Sequence, residues 1–239
     1  MSAFVRPREL SAPTLRLVVF HHAGGSASTY YPLTRALPSD WDLLIAELPG
    51  RGSRHALPPM REVASITTWM RSALADYQDV PLALFGHSFG AIVASEVARV
   101  LEGDGVPLTW LGLSGRAAPS SPRAPRRLHE LDDDALLREL LALGGTPDKI
   151  HDYPELKQRF LRIARADLAA VDAYQPDPRR SPLRCPIAGY TGEHDAWAPP
   201  DSMRPWSRET RGACALRTFP GGHFYFLGEP FSSFARAIV

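Results

Sequence analysis

Residues 82–101 read LALFGHSFGAIVASEVARVL, and this stretch decides the fold. The apolar run at 82–85 is typical of a buried strand, and the run at 91–101 is typical of a helix. Between them, Gly86-His87-Ser88-Phe89-Gly90 matches the G-x-S-x-G pattern of a nucleophile elbow, which is a tight turn from strand into helix. The turn forces the serine into a strained backbone conformation, and glycine two residues before and after it avoids a collision. Ser88 is therefore the candidate nucleophile.

The candidate base and acid lie further along the chain. A serine hydroxyl is a weak nucleophile at neutral pH, so Ser88 needs a base and an acid that orients that base. Around such an elbow the chain order is nucleophile, acid, histidine, each after a different strand. Asp195 follows the strand-like run at 186–191, and His223 follows the strand-like run at 213–219. We therefore predict that Ser88, Asp195 and His223 form a catalytic triad, with Glu193 as the alternative acid.

Acyl transfer also requires backbone N–H donors for the oxyanion that develops on the substrate. Phe89 supplies one predicted donor, because it follows the nucleophile at the start of the elbow helix. The second is expected in the loop HHAGGS at 21–26, which follows the strand-like run at 15–20. Glycines in this loop let backbone amides turn toward the pocket. We assign the second donor to Ala23 N–H; the alternative is that the glycines only form a turn into the next helix.

Composition narrows the function classes. The chain has 239 residues, with 27 Lys and Arg against 26 Asp and Glu, for a formal net charge of +1. This balance gives no overall field that would attract nucleic acid or an anionic membrane. The chain has only two cysteines, and its N-terminus has no apolar core of the kind found in secretion signals, so we expect a cytoplasmic protein. It also has no apolar run of about 18 residues, so we expect no membrane span. The histidines show no metal-ligand spacing, so we predict neither a metal nor a cofactor.

Strand-like and helix-like runs alternate along the chain, which predicts an α/β fold. Such a fold has a mostly parallel central sheet with helices on both faces. We expect one domain over residues 1–239. An apolar stripe at helical spacing between Ile66 and Tyr77 predicts a helix with Ser65 as its N-cap. The predicted strands centre on Val18, Ile45, Leu84, Leu111, Ala188 and Leu216.

About 70 residues separate the fourth and fifth predicted strands, and we interpret residues of about 116–175 as an inserted helical lid. Two amphipathic stripes support two helices, which would cover the nucleophile and supply an apolar wall. The alternative is that these helices pad the core away from the site. The first stripe contains Leu128, Leu131, Ala135, Leu136, Leu140 and Leu143, and the second contains Leu156, Phe160, Ala164, Leu168, Val171 and Tyr174.

A cationic loop precedes the first stripe. It contains Arg116, Arg123, Arg126 and Arg127 among prolines, alanines and serines. A cationic rim beside a pocket would dock an acidic protein that carries the substrate. The alternative is an ordinary solvated loop.

Four motifs together resemble the type II thioesterases that accompany polyketide and nonribosomal peptide synthases. They are FHHAGG at 20–25, ELPGRG at 47–52, GHSFGA at 86–91 and GGHF at 221–224. The chain departs from that family at His21, where proline is usual, and at Phe89, where methionine is usual.

The resemblance implies an α/β-hydrolase fold and a stand-alone editing hydrolase of polyketide, nonribosomal peptide and antibiotic biosynthesis. Such an enzyme removes stalled or wrong acyl groups from the phosphopantetheine thiol of acyl or peptidyl carrier proteins, and we expect a monomer. Two alternatives stay open: a carboxylester hydrolase or small peptidase on the same fold, because a triad alone does not specify the leaving group, and a non-catalytic binding protein.

Overall fold

A computed structural model of the protein describes residues 2–121, 125–146, 148–228 and 231–238. Among these residues, seven strands form one sheet in the order β1-β3-β2-β4-β5-β6-β7. All neighbours are parallel except β1, which pairs antiparallel with β3. The strands are β1 (Phe4–Val5), β2 (Leu15–Phe20), β3 (Trp41–Ala46), β4 (Leu82–His87), β5 (Leu108–Ser114), β6 (Ile187–Gly192) and β7 (Cys214–Phe219).

Helices connect the strands. The α-helices of the described residues are α1 (Leu33–Ala36), α2 (Val63–Leu74), α3 (Phe89–Gly103), α4 (Asp133–Ala142), α5 (Pro154–Ala173), α6 (Pro200–Met203) and α7 (Phe231–Ala237). Short 3-10 helices span Ala27–Tyr30, Gly52–Arg54, Ala75–Tyr77, Leu128–Glu130, Asp148–Asp152 and Arg204–Arg208. Within this part of the chain, every helix is too short or too polar to cross a lipid bilayer.

The sheet has a hydrophobic core on each face. Side chains alternate along β2, so Val18 packs on one side with α2 and α3, while Leu17 packs on the other side with α7. Both faces of the parallel strands are therefore buried, which explains why their sequences are nearly continuous apolar runs. The predicted mostly parallel sheet with helices on both faces is confirmed.

Two local predictions need correction. The helix predicted to have Ser65 as its N-cap begins at Val63, with Glu62 at the N-cap position. Ser65 lies inside the first turn, where its hydroxyl donates to the Glu62 carboxylate at 3.1 Å instead of capping the helix. Strand β1 was not predicted, because two residues are too short for a pattern and form a strand only against the edge of β3.

The segment between β5 and β6 contains α4 and α5, as the two stripes predicted. Asp132 caps α4 by accepting a hydrogen bond from Ala135 N–H at 2.8 Å. The apolar faces of the two helices share a small core. Leu156 is an error in the second stripe: it is 53% exposed, because it lies in the first turn of α5 before that core begins at Phe160.

Candidate active site

Ser88 lies at the junction of β4 and α3, in the turn that the G-x-S-x-G pattern predicted. Its backbone is strained, with φ 56° and ψ −113°. A Cβ atom at Gly86 would collide with the Gly90 carbonyl oxygen, and one at Gly90 would collide with the Phe20 carbonyl oxygen. Both glycines are therefore required by close backbone contacts, and strain at this position is typical of a functional residue.

The structure brings Asp195 and His223 together at the carboxyl ends of β6 and β7. Asp195 Oδ2 lies 2.9 Å from Nδ1 of His223. The other carboxylate oxygen, Oδ1, accepts hydrogen bonds from the backbone N–H groups of Trp197 and Ala198 at 2.8 and 2.9 Å. Asp195 and His223 are both buried, so the carboxylate is held in one orientation.

This environment favours the ionised form of Asp195. Burial acts to raise the pKa of Asp195, but the hydrogen bond and charge of His223, with the two backbone amides, outweigh it and lower that pKa. Asp195 is therefore a carboxylate that can only accept, and Nδ1 of His223 donates to it. The Nε2 atom of a neutral His223 then carries the free lone pair that a general base requires.

Ser88 and His223 line one pocket at the carboxyl end of the sheet. Within the described residues, no hydrogen bond joins the Ser88 hydroxyl to the imidazole. Such bonds are often long before substrate binds, and they tighten in the reacting complex. The Ser88 side chain and the His223 imidazole therefore line the same pocket without a hydrogen bond between them.

Two backbone amides border that space. Phe89 is the first residue of α3, and the N–H groups of a first helical turn have no acceptor inside the helix. Ala23 lines the pocket as well, and among the described residues its N–H has no acceptor. The next two amides of the loop are occupied: Gly24 N–H donates to Asp167 and Gly25 N–H to the His22 carbonyl. The Gly24 and Gly25 amides are therefore occupied, and the assignment of the second oxyanion donor to Ala23 N–H stays a prediction.

The inserted helices form the apolar wall of the pocket. Leu140 and Leu143 contribute from α4 and its C-terminal end, and Phe160 and Leu168 contribute from α5. The cavity that they enclose with Ser88 is about 20 Å³. That volume holds roughly one water molecule, so an acyl chain requires these side chains to move.

A known protein family matches most of the chain. The family described as "Thioesterase domain" matches residues 15–239. The chain belongs to this thioesterase family. Thioesterase PikA5 of Streptomyces venezuelae is 40% identical over 214 residues, which cover 88% of this chain and 75% of that protein.

Solved structures agree. The type II thioesterase BorB from the borrelidin biosynthetic cluster has a TM-score of 0.90 and 36% identity, covering 98% of this chain and 95% of its own. YbtT, a type II thioesterase from the yersiniabactin NRPS/PKS pathway, has a TM-score of 0.87 and 30% identity, covering 100% and 97% of the two chains. The resemblance to type II thioesterases is thereby confirmed, and so is the α/β-hydrolase fold that it implies.

Several other predicted residues of the thioesterase do not line the pocket, although Arg126 lies beside it. Glu193, the alternative acid, and its neighbour His194 are exposed. In the cationic loop, the Arg126 guanidinium stacks over the Trp197 ring at 4.5 Å, and Arg127 projects into solvent. Arg116 lies in a half-buried position, and Arg123 falls outside the described residues.

Two buried histidines near His223 were not predicted to have a role: His22, which lines the pocket, and His87. His87 Nδ1 forms a hydrogen bond with Ser114 Oγ at 2.8 Å, and that hydroxyl also bonds to Tyr225 at 2.8 Å. Burial lowers the pKa of His87 well below its usual value, and it lowers the pKa of His22 to about 3, with neighbouring histidine charges adding to both effects. Both rings are therefore neutral beside His223.

Sequence reasoning also missed a buried ion pair behind the Ala23 loop of the thioesterase. Arg51 NH1 lies 2.8 Å from Asp167 Oδ2. A signal was available, because Asp167 is an acidic residue directly before Leu168 on the buried face of α5. A carboxylate on such a face needs a partner, although the sequence does not identify it.

Proposed function

We propose that this thioesterase hydrolyses acyl thioesters on the phosphopantetheine thiol of acyl or peptidyl carrier proteins, through a Ser88-His223-Asp195 triad. The observation that carries the proposal is the bond from His223 Nδ1 to Asp195 Oδ2, in a pocket shared with the strained Ser88. This arrangement gives a nucleophile, a base with a free Nε2 and an acid that orients it.

In the acylation step, Ser88 Oγ attacks the thioester carbonyl while its proton passes to His223 Nε2. Negative charge then develops on the carbonyl oxygen, where the Ala23 and Phe89 N–H groups stabilise it. Collapse of this intermediate breaks the carbon–sulfur bond and leaves the acyl group on Ser88. The departing sulfur needs little help from an acid, because a thiol has a pKa of about 8.5 and leaves readily as the thiolate. The imidazolium of His223 then gives its proton to that thiolate, which releases the free thiol and returns His223 to its neutral form.

Water completes the cycle. His223 takes a proton from a water molecule, which attacks the acyl-serine carbonyl through a second oxyanion intermediate. Breaking the ester bond returns the proton to Ser88 Oγ and releases the carboxylic acid. Every proton is moved by His223, so the cycle calls for neither a metal nor a cofactor.

Two observations support a carrier protein as the natural substrate. PikA5 and the type II thioesterases BorB and YbtT are similar over most of this chain. Arg126 stacks on Trp197, whose ring centre lies 5.5 Å from that of His223, so a cation stands beside the site. A positive rim at the entrance attracts an acidic partner. Removal of stalled or wrong acyl groups from carriers is the role that fits these features.

A substrate panel tests this proposal. Acyl-carrier proteins, acyl-N-acetylcysteamine thioesters and nitrophenyl esters of the same acyl group are compared by kcat/KM. The expected order is carrier thioester first, with the small thioester slower and the oxygen ester slowest. Faster turnover of the oxygen ester by orders of magnitude would contradict the thioesterase assignment and favour the ester hydrolase. A protein whose mass is unchanged by a serine-directed phosphonate would favour the non-catalytic alternative.

A further inference from the structure

A buried ion pair joins α5 to the loop that follows β3. Arg51 donates from NH1 to Asp167 Oδ2 at 2.8 Å and from NH2 to Oδ1 at 2.9 Å. The side chains are 3% and 1% exposed. Two parallel hydrogen bonds between a guanidinium and a carboxylate fix both side chains in one orientation.

Both members of the pair also hold the backbone of the Ala23 loop. Asp167 Oδ2 accepts a hydrogen bond from Gly24 N–H at 2.9 Å. Arg51 NH1 donates to the Gly25 carbonyl oxygen at 3.0 Å. The two residues directly after Ala23 are thus each bonded to one member of the pair.

The loop is also packed closely against α5, the helix that carries Asp167. Gly24 has φ +75°, and a Cβ atom there would lie 2.8 Å from Phe160 Cε2 and 3.2 Å from Ala164 Cβ. Gly25 N–H donates to the His22 carbonyl at 3.0 Å and closes the turn. The loop is therefore held both by hydrogen bonds and by close packing against α5.

We propose that Arg51 and Asp167 are positioning residues for the oxyanion hole: they hold the loop so that Ala23 N–H stays aimed at the developing negative charge. This inference rests on the proposed function. Neither side chain touches the reacting atoms, because the pair acts on the backbone of Gly24 and Gly25. An oxyanion donor contributes to catalysis only if it is fixed before the reaction, which is what the pair supplies.

The charges of the pair explain why two residues are used instead of one. A lone carboxylate behind the loop would oppose a developing oxyanion, and Arg51 neutralises that charge. Asp167→Asn keeps an acceptor for Gly24 N–H but loses the ion pair, whereas Asp167→Ala loses both. Catalytic loss is therefore expected to be larger for the alanine variant than for the asparagine variant.

Hydrolysis of acetyl-N-acetylcysteamine tests the proposal without a carrier protein. For Asp167→Ala we expect kcat to fall about 10- to 100-fold, in the range of one weakened oxyanion donor. KM should change by less than about 3-fold, because ground-state binding does not use the donor. The inhibition constant of a trifluoromethyl ketone, which forms a tetrahedral oxyanion on the serine, should rise by the same factor as kcat falls. Asp42→Asn is the control: it removes the charge of one of the two carboxylates that pair with another buried arginine, Arg16, away from the loop, and should leave kcat unchanged below its unfolding temperature.

Circular dichroism and thermal unfolding establish which variants are folded. A folded Asp167→Ala with wild-type kcat and wild-type inhibitor affinity would overturn the proposal, as would an equal loss of kcat in Asp42→Asn. If Asp167→Ala does not fold, Arg51→Lys tests the proposal instead, because it keeps the positive charge and loses the paired hydrogen bonds. A reduced kcat of Arg51→Lys would support the proposal, and a wild-type kcat would overturn it. Ser88→Ala in the same assay distinguishes failure of this proposal from failure of the proposed function. Hydrolysis that persists in Ser88→Ala would overturn the proposed function and, with it, the oxyanion assignment.

Discussion

His223 Nδ1 and Asp195 Oδ2 are 2.9 Å apart, although 28 positions separate the two residues in the chain. Two adjacent parallel strands, β6 and β7, end at the same edge of the sheet and bring them together. Among the described residues the carboxylate accepts three hydrogen bonds, so its position and charge are set before any substrate arrives. This relationship determines the tautomer of His223 and therefore which nitrogen faces the pocket.

Asp195→Asn is expected to lower kcat by up to about 10⁴-fold, because an amide no longer fixes the tautomer that leaves Nε2 free. The measurement is steady-state hydrolysis of an acyl-N-acetylcysteamine thioester. Glu193→Gln is the matched control, since Glu193 is two residues away and exposed; it should retain wild-type kcat. A mild effect of the first change together with a severe effect of the second would assign the acid to Glu193.

Stability should fall as the pH drops from 7 to 5. Burial, with further contributions from neighbouring charges, lowers the pKa of His21 and of His22 from 6.5 to about 3. The unfolded chain binds more protons than the folded one between these values, so the free energy of unfolding decreases as pH falls through this window, by about 2 kcal/mol for each ring.

Urea unfolding at pH 7 and pH 5 measures this dependence. His22→Gln should reduce the difference between the two pH values by about 2 kcal/mol, the share of one ring. His55→Gln is the control, because His55 is exposed, and should leave the difference unchanged. Equal stability of the wild-type protein at both pH values would contradict the prediction.

Gly90→Ala should destabilise the protein by about 1–3 kcal/mol or more, because the added methyl group meets the Phe20 carbonyl, a backbone atom that has no freedom to rotate away. Thermal and urea unfolding report the change. Gly103→Ala lies on the same helix, and nothing lies within 4 Å of its Cβ position. That control should gain up to about 1 kcal/mol from helix propensity. Equal stability of the two variants would show that the elbow is not tightly packed.

Phe160→Ala should shift activity toward longer acyl chains. Phe160 lines the cavity of about 20 Å³, and its removal makes room at the wall. The ratio of kcat/KM for octanoyl to that for acetyl N-acetylcysteamine should rise about 10-fold or more. Leu156→Ala is the control on the same helix, since Leu156 is largely exposed. An unchanged ratio for Phe160→Ala would place the acyl chain elsewhere.

Local patterns predicted the elements that position the site. The apolar runs around Val18, Leu84 and Ala188 are continuous because their strands are covered on both faces, and turn residues bound them, so periodicity was sufficient. The elbow was predictable because only glycine fits at the positions two residues before and two residues after Ser88. The N-cap was less predictable. Ser65 is a good N-cap residue, but the N-cap position is three residues earlier, at Glu62, and the helix begins at Val63, which is buried in the core.

Two tertiary features could not be predicted from the sequence: the Arg51–Asp167 ion pair and the burial of His22 and His87. Arg51 and Asp167 are 116 positions apart, and neither has a sequence neighbour that indicates the other. The neutral state of His22 and His87 depends on burial by residues from several elements, which a linear pattern does not show. The catalytic roles of Ser88, Asp195 and His223, the Ala23 and Phe89 donors, the single domain and the monomeric state stay predictions.

Substitution of the elbow serine tests the central claim most directly. Wild-type protein and Ser88→Ala are compared in the hydrolysis of an acylated carrier protein, with both confirmed as folded by circular dichroism. The account predicts that Ser88→Ala falls to the uncatalysed rate and that a phosphonate adds its mass to Ser88 of the wild type only. Near-normal hydrolysis by Ser88→Ala would contradict the account.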